Sequence, residues 1–187
     1  RVDIRNIDKV KYLIKKIQPD FVFHLAAKAL VKHSYNNPID TFTSNVIGTV
    51  NILDCLRNID KKIITIMITS DKAYDNLEWP WGYRENDRLG GKDPYSASKG
   101  MAELAIRSYT NSFFETKDSN VRIGIARAGN VIGGGDWAAD RIVPDCMIAW
   151  SNDKTVKIQS INEIQLGHKI AMTDLNEGDT ILKYGHD

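Results

Sequence analysis

Three short apolar, β-branched runs punctuate the chain near residues 21–27, 63–69 and 121–127. Each is a few residues long and bounded by polar residues, the pattern of a strand buried on both faces. Between them the period changes from continuous to helical. Val10, Leu13, Ile14 and Ile17 share one face of a helix predicted over Ile7 to Ile17, which Pro19-Asp20 stops. Asn37-Pro38 opens a second helix from Ile39 to about Leu56, with proline in the first turn where its missing N–H costs nothing. Gly48 inside it marks close packing. A third helix runs from Pro94 to about Phe114. Strands alternating with helices predict an α/β fold with a parallel sheet.

Two stretches fall outside this rhythm. Ala73 to Asp93 has no period of its own, but Trp79, Trp81 and Tyr83 argue against disorder. The tail from Ile164 to Gly185 alternates about a turn at Asn176-Glu177-Gly178-Asp179, so residues 161–187 read as β-rich and residues 1–160 as the α/β domain. With 42% hydrophobic and 26% charged residues, the 187-residue chain reads as an ordinary soluble protein. Its formal charge of +1 gives no footprint for nucleic acid or an anionic membrane, and no apolar run is long enough to span a bilayer. Cys55 and Cys146 stand alone in apolar surroundings, as two buried reduced thiols of a cytoplasmic protein. No metal-ligand spacing occurs, and His168 and His186 have no ligand set beside them. His24, on an apolar strand, reads as a satisfied core histidine.

The candidate chemistry gathers at two places. The second strand ends abruptly in Thr69-Ser70-Asp71-Lys72, so hydroxyl, carboxylate and amine emerge at a strand's C-terminal end, where open α/β sheets bind ligands. The third helix opens with Pro94-Tyr95-Ser96-Ala97-Ser98-Lys99. Residues four apart on a helix share a face, so Tyr95 and Lys99 point into one space. A phenol with an ordinary pKa near 10 needs help to lose its proton, and an ammonium one turn away supplies it by charge attraction. Tyr95 with Lys99 is thus a candidate general base. The glycines of Gly133-Gly134-Gly135 lack the spacing of a dinucleotide fingerprint and read as a substrate-side loop.

These strings occur together with His24-Leu25-Ala26-Ala27, Asn45-Val46-Ile47-Gly48-Thr49, Trp81-Gly82-Tyr83-Arg84-Glu85 and Arg127-Ala128-Gly129-Asn130 through Asp136-Trp137. In this order, over roughly the first 160 residues, the chain resembles the extended short-chain dehydrogenase/reductases, the NAD-dependent epimerase/dehydratase family, and within it the CDP-glucose 4,6-dehydratases. The resemblance implies a partial Rossmann fold, NAD as cofactor, CDP-glucose as substrate and a place in deoxysugar and O-antigen or other polysaccharide biosynthesis. It implies Ser70, Asp71, Lys72, Tyr95 and Lys99 as catalytic residues. Tyr95 would take the C4 hydroxyl proton, Lys99 would lower the tyrosine pKa and hold the nicotinamide ribose, and Ser70 (less readily Thr69) would hydrogen-bond the C4 oxygen. Asp71 would protonate the leaving C6 hydroxyl, with Lys72 as the base at C5 or as the group that orients it. Asp3, Ile4, Leu25, Ala26 and Ala27 would line the dinucleotide with Tyr95 and Lys99, and Asn130, Asp136, Trp137 and Arg141 the substrate. Read without the resemblance, Asp3 serves equally as a helix cap or a solvated charge, and Arg141 as a helix-start charge. Family members pair through the helices at 39–57 and 94–114, which implies a homodimer.

Two departures qualify the expectation. Nothing before Phe21 supplies the glycine-rich turn that meets a pyrophosphate in such domains, and the chain does not begin with Met. The first strands of the fold are therefore expected to be missing, and the isolated chain is expected to bind NAD weakly and not to turn over. The tail resembles a second family, the small β-rich module of altronate- and galactarate-type sugar-acid dehydratases. Two alternatives follow. A 4-epimerase of this fold needs the Tyr95/Lys99 pair but no acid–base pair at the strand tip, so Asp71-Lys72 favours elimination. A non-catalytic, truncated or fused chain carrying a sugar-acid dehydratase module is the other.

Overall fold

In the computed structural model, residues 2–138 and 141–155 are described. The chain divides into two compact units. The first comprises residues 1–77 and 83–130, and the second residues 78–82 and 131–187. The predicted tail at 161–187 lies outside the described residues.

In the first unit, helix α1 (Ile7–Ile17) starts at Asn6, whose side chain accepts from the Lys9 amide. Asn6 and not Asp3 is therefore the cap. The helix stops at Gln18, which takes a left-handed conformation ahead of Pro19. Strand β1 (Phe21–His24) follows, then α2 (Val31–Asn36), which has no period long enough to announce it. Pro38 opens α3 (Pro38–Phe42), a π-helical turn (Thr43–Ile47) continues it, and α4 (Gly48–Leu56) completes the predicted second helix. Strand β2 (Ile63–Ser70) runs into a 3-10 turn (Asp71–Ala73). Helix α5 (Pro94–Tyr109) is capped by Asp93, whose carboxylate accepts from the Ser96 amide, and ends in a second π turn (Thr110–Phe114). Strand β3 is Val121–Ala128.

The three strands form one parallel sheet in the order β1-β2-β3, with Phe21 opposite Ile64 and Ser70 opposite Ala128. This is the predicted α/β arrangement with its predicted strands. Strand β1 is shorter than predicted. Leu25, Ala26 and Ala27 follow it outside the ladder, since among the described residues β1 pairs with β2 alone and the register ends at His24.

The expectation of burial on both faces needs correcting. Ile63, Thr65, Met67 and Thr69 are buried, whereas Ile64 on the other face is 39% exposed. Val10 and Ile14 of α1, Leu53 and Leu56 of α4 and Ile106 of α5 pack with Ile63, Met67 and Val121 in one cluster. Helices thus cover one face of this sheet, and Phe21 and Phe23, beside Ile64 and Ile66, remain exposed on the other. Continuous apolar runs do not report which face is covered. Cys55 is buried as expected, while Cys146 is half-buried. Gly48 packs against Ile4 as predicted, and an added Cβ would stand 2.4 Å from Ile4 Cδ1.

In the second unit, α6 (Ile142–Trp150) begins after Arg141, where it was expected. Trp79 and Trp81 stack with ring centroids 5.4 Å apart.

Candidate active site

The strand tip has a defined local geometry. Ser70 is the cap of the 3-10 turn, its Oγ accepting from the Lys72 amide at 3.2 Å. The Ser70 hydroxyl donates to Asp71 Oδ1 at 3.0 Å, and Lys72 Nζ stands 3.7 Å from the same oxygen. Hydroxyl, carboxylate and ammonium therefore meet around one carboxylate at the C-terminal end of β2. Ser70 is buried, while Asp71 and Lys72 reach solvent. Gly129, just beyond β3, lies beside this carboxylate, where an added Cβ would stand 3.8 Å from Asp71 Oδ2. Thr69 is different. Its hydroxyl donates at 2.6 Å to Glu103, which is fully buried, whereas the Ser70 hydroxyl is on Asp71, which reaches solvent, so Ser70 is the hydroxyl a substrate can reach.

On α5, Tyr95 and Lys99 are both buried, and Lys99 Nζ lies 6.0 Å from the Tyr95 ring centroid, as the four-residue spacing predicts. Burial pushes the Lys99 ammonium below its ordinary pKa, and the negative charge of Glu103 opposes that shift. No hydrogen bond from a described residue reaches Lys99 Nζ. A buried cation that donates to no described residue fits a ligand that brings hydroxyl acceptors, which a ribose does.

Polar residues in the helices hold these pieces in place. The π turn carries Asn45, whose side chain accepts from the Lys28 amide at 2.7 Å and donates to Lys28 O and to Ser98 Oγ. The loop after β1 is thereby tied to the residue preceding Lys99. Single π turns inside α-helices recur at functional sites because the extra residue re-aims a side chain. Ser34 of α2 accepts from the Tyr95 amide at 3.2 Å. Thr49 donates to Asn45 O, so its oxygen receives the Nε2 proton of His24 at 3.0 Å. His24 is the satisfied core histidine expected, held neutral to about pKa 4 by burial and then by the charge of Lys99. Sequence reasoning missed Ser34 and Glu103, and noted Asn45 and Ser98 only within motifs. An asparagine among apolar residues in mid-helix was the available signal.

The dinucleotide residues are only partly as expected. Asp3 is exposed, and Arg5 engages both its oxygens through main chain and guanidinium, holding its carboxyl at about pKa 2. A carboxylate offers about four lone-pair positions, so a further donor can still be accepted. Ile4 turns its side chain to Gly48 and its carbonyl accepts from Asn51, so any ligand contact here is left to its main-chain N–H or the carbonyl's second lone pair. Leu25 and Ala26 are exposed and Ala27 is half-buried, at the tip of β1. Asn130, at the end of the first unit, is exposed. Asp136, Trp137 and Arg141 belong to the second unit, where Arg141 Nε faces Asp136 Oδ2 at 3.5 Å without hydrogen-bond geometry and Trp137 is exposed. An open apolar groove of about 370 Å³ lies along Ile4, Leu13, Phe21 and Phe23, and none of the five candidate catalytic residues lines it.

A family model described as GDP-mannose 4,6 dehydratase matches residues 1–123, and one described as altronate/galactarate dehydratase SAF domain matches residues 137–187. The chain is similar to CDP-glucose 4,6-dehydratase of Salmonella typhimurium, at 47% identity over 84% of this chain and 45% of that protein. It is 30% identical to CDP-paratose 2-epimerase of Salmonella typhi, over 84% of this chain and 48% of that one. Among solved structures, a dTDP-glucose 4,6-dehydratase from Streptomyces venezuelae with NAD bound superposes with a TM-score of 0.72 at 21% identity, over 83% of this chain and 45% of that one. The chain thus spans about half the length of the curated relatives it matches. With two thirds of its residues under the first family model and a relative of this identity along most of its length, the chain belongs to the GDP-mannose 4,6 dehydratase family, within the extended short-chain dehydrogenase/reductases.

Proposed function

We propose that the protein works as an NAD-dependent nucleotide-sugar 4,6-dehydratase that converts CDP-glucose to CDP-4-keto-6-deoxyglucose. The observation that carries this reading is the acid–base pair at the tip of β2, where Asp71 and Lys72 stand 3.7 Å apart beside the Ser70 hydroxyl. Elimination of water needs such a pair, and simple oxidation or epimerisation does not. The 47% identity to a CDP-glucose 4,6-dehydratase supports the choice of substrate.

When bound, NAD supplies a hydride acceptor for C4 and a hydride donor for C6, so the reaction is redox-neutral and its net change is loss of one water. Tyr95 takes the proton of the C4 hydroxyl, and the Lys99 ammonium stabilises the resulting phenolate while its remaining donors hold the nicotinamide ribose. Ser70 turns its hydroxyl from Asp71 Oδ1 to hydrogen-bond the C4 oxygen. The ketone at C4 makes the C5 proton acidic, and Lys72, once its ammonium proton has passed to the Asp71 carboxylate 3.7 Å away, removes that proton or orients the base that does, the proton returning to C5 when C6 receives its hydride. Asp71 protonates the leaving C6 hydroxyl. Asp3, the main chain of Ile4 and the tip formed by Leu25, Ala26 and Ala27 line the dinucleotide. Asn130, Asp136, Trp137 and Arg141 meet the nucleotide sugar.

Residues 1–160 are the dinucleotide-binding part on this reading, and 161–187 a β-rich module of separate origin; the second family match supports a separate module, over residues 137–187. A homodimer through helices 39–57 and 94–114 belongs to the same reading, as does a cytoplasmic place in deoxysugar formation for surface polysaccharide.

The test uses CDP-glucose deuterated at C4. In a preparation that binds NAD, which the isolated chain is expected to do only weakly, conversion to the 4-keto-6-deoxy product with deuterium at C6 is expected, and Tyr95→Phe and Asp71→Asn should each lower kcat by about 10²–10⁴-fold. A C4 epimer formed without loss of water would replace this reading with an epimerase.

A further inference from the structure

Glu103 is fully buried, and neither the strand tip nor the tyrosine–lysine pair accounts for it. Its Oε1 accepts from the Thr69 hydroxyl at 2.6 Å and from Arg127 Nε at 2.7 Å, and its Oε2 accepts from Arg127 Nη2 at 2.5 Å. Thr69 and Arg127 are register partners in β2 and β3. One carboxylate on α5 therefore grips two adjacent strand tips. On α5 it follows Tyr95 and Lys99 at the same four-residue interval, two turns from the phenol and one from the ammonium. On β2 its ligand Thr69 immediately precedes Ser70. The far side is braced as well, since the Arg127 guanidinium lies 4.3 Å over the ring of Tyr74, which stacks on Tyr83.

A buried ion pair is a poor device for stability, because desolvation consumes most of the attraction and well-packed apolar residues do as well. What it does supply is directional geometry. A bidentate guanidinium and a short hydroxyl bond fix a carboxylate in distance and in angle, where apolar packing would let the helix slide. A misplacement of about 1 Å can cost about a hundredfold in rate when reacting groups come from different elements.

We infer that Glu103 is the positioning residue of this site: by bridging Thr69 on β2 and Arg127 on β3, it sets the placement of the helix bearing Tyr95 and Lys99 relative to the tip bearing Ser70, Asp71 and Lys72. The inference rests on the dehydratase reading for its catalytic consequence but not for its structural one. The charge of Glu103 also sustains the Lys99 ammonium against burial, which adds to the same effect.

The experiment compares Thr69→Val, Thr69→Ser and Glu103→Gln in the full 187-residue chain by amide hydrogen exchange, and in a preparation that turns over CDP-glucose by kinetics. Thr69→Val removes one hydroxyl at nearly constant volume, and Thr69→Ser restores it. In Thr69→Val and Glu103→Gln, exchange at the Lys72 and Tyr74 amides should accelerate at least about tenfold while α1 and β1 keep their protection. Thr69→Ser should stay within about twofold of the parent. In turnover, kcat should fall about tenfold for Thr69→Val and about a hundredfold for Glu103→Gln, with KM for the sugar nucleotide within about twofold. Unchanged exchange at residues 72 and 74 in Thr69→Val, or acceleration spread evenly over α1, β1 and α5, overturns the inference and leaves an ordinary structural ion pair. Should Glu103→Gln fail to fold, the Thr69 pair decides alone. A parent preparation that binds NAD and still forms no 4-keto sugar sinks the dehydratase reading, and the exchange arm still decides the role of Glu103.

Discussion

The residue with the clearest electrostatic signature is His24. Burial, with Lys99 nearby, lowers its pKa from 6.5 to about 4, while the unfolded chain protonates at the ordinary value. The unfolded state therefore binds the proton first as pH falls. The stability that this histidine contributes is fully present above pH 6.5 and is lost progressively as pH falls through 4. By pH 5 the loss amounts to about 2 kcal/mol. Denaturant midpoints measured at pH 7 and pH 5 should separate by that much more in the parent than in His24→Gln. An equal pH dependence in the two proteins would remove His24 as the cause. The same residue shows that a histidine beside an active site need not be part of the chemistry, since its one ring proton is already given to Thr49.

At the scale of elements, the site depends on how closely the loop after the 3-10 turn approaches α5. A Cβ added at Gly91 would stand 2.3 Å from the main-chain nitrogen of Ala97, inside the first turn of the helix that carries Tyr95. Gly100 meets Gly90 O and Ala73 O across the same seam, at 3.0 and 3.3 Å from an added Cβ. Backbone cannot yield as a flexible side chain can. Gly91→Ala should therefore destabilise the protein by about 1–3 kcal/mol, and thermal unfolding followed by circular dichroism measures it. Gly48→Ala makes a useful contrast, because its clash at 2.4 Å is with the end of the Ile4 side chain. A cost at Gly91 no larger than at Gly48 would show that the loop gives way and that the seam is not tight.

For the whole molecule, the open question of assembly has a direct test. Met101 and Leu104 on α5, Ile47 in the π turn before α4 and Phe113 in the π turn after α5 are exposed apolar residues on the two helices of the proposed dimer. Helices that pair across a two-fold axis bury such positions in the partner. Leu104→Lys should convert a dimer to a monomer in light scattering, at little cost to the folding of the single chain. If the parent is already monomeric, or if the variant keeps the parent's mass, these helices do not form the contact.

Much of this was legible along the chain, because it rests on local rules. Hydrophobic period separates strands from helices, so β2, β3, α1, α5 and the parallel α/β class followed from Ile63–Ser70, Val121–Ala128 and the helical stripes alone. Four-residue spacing put Tyr95 and Lys99 on one face, and the break from apolar run to Ser70-Asp71-Lys72 marked a strand tip. The family followed from strings of adjacent residues. Tertiary structure decided the rest. Asn45 to Lys28 and Ser98, Ser34 to Tyr95, and Glu103 to Thr69 and Arg127 join residues 17 to 61 positions apart. A single polar residue on a helix has the same local pattern whether it faces water or a partner strand. It acquires a role only when the fold brings that partner within hydrogen-bond distance and removes the water. The covered face of the sheet was undetermined for the same reason: an apolar run states that burial is available, and only the neighbouring helices state where it happens.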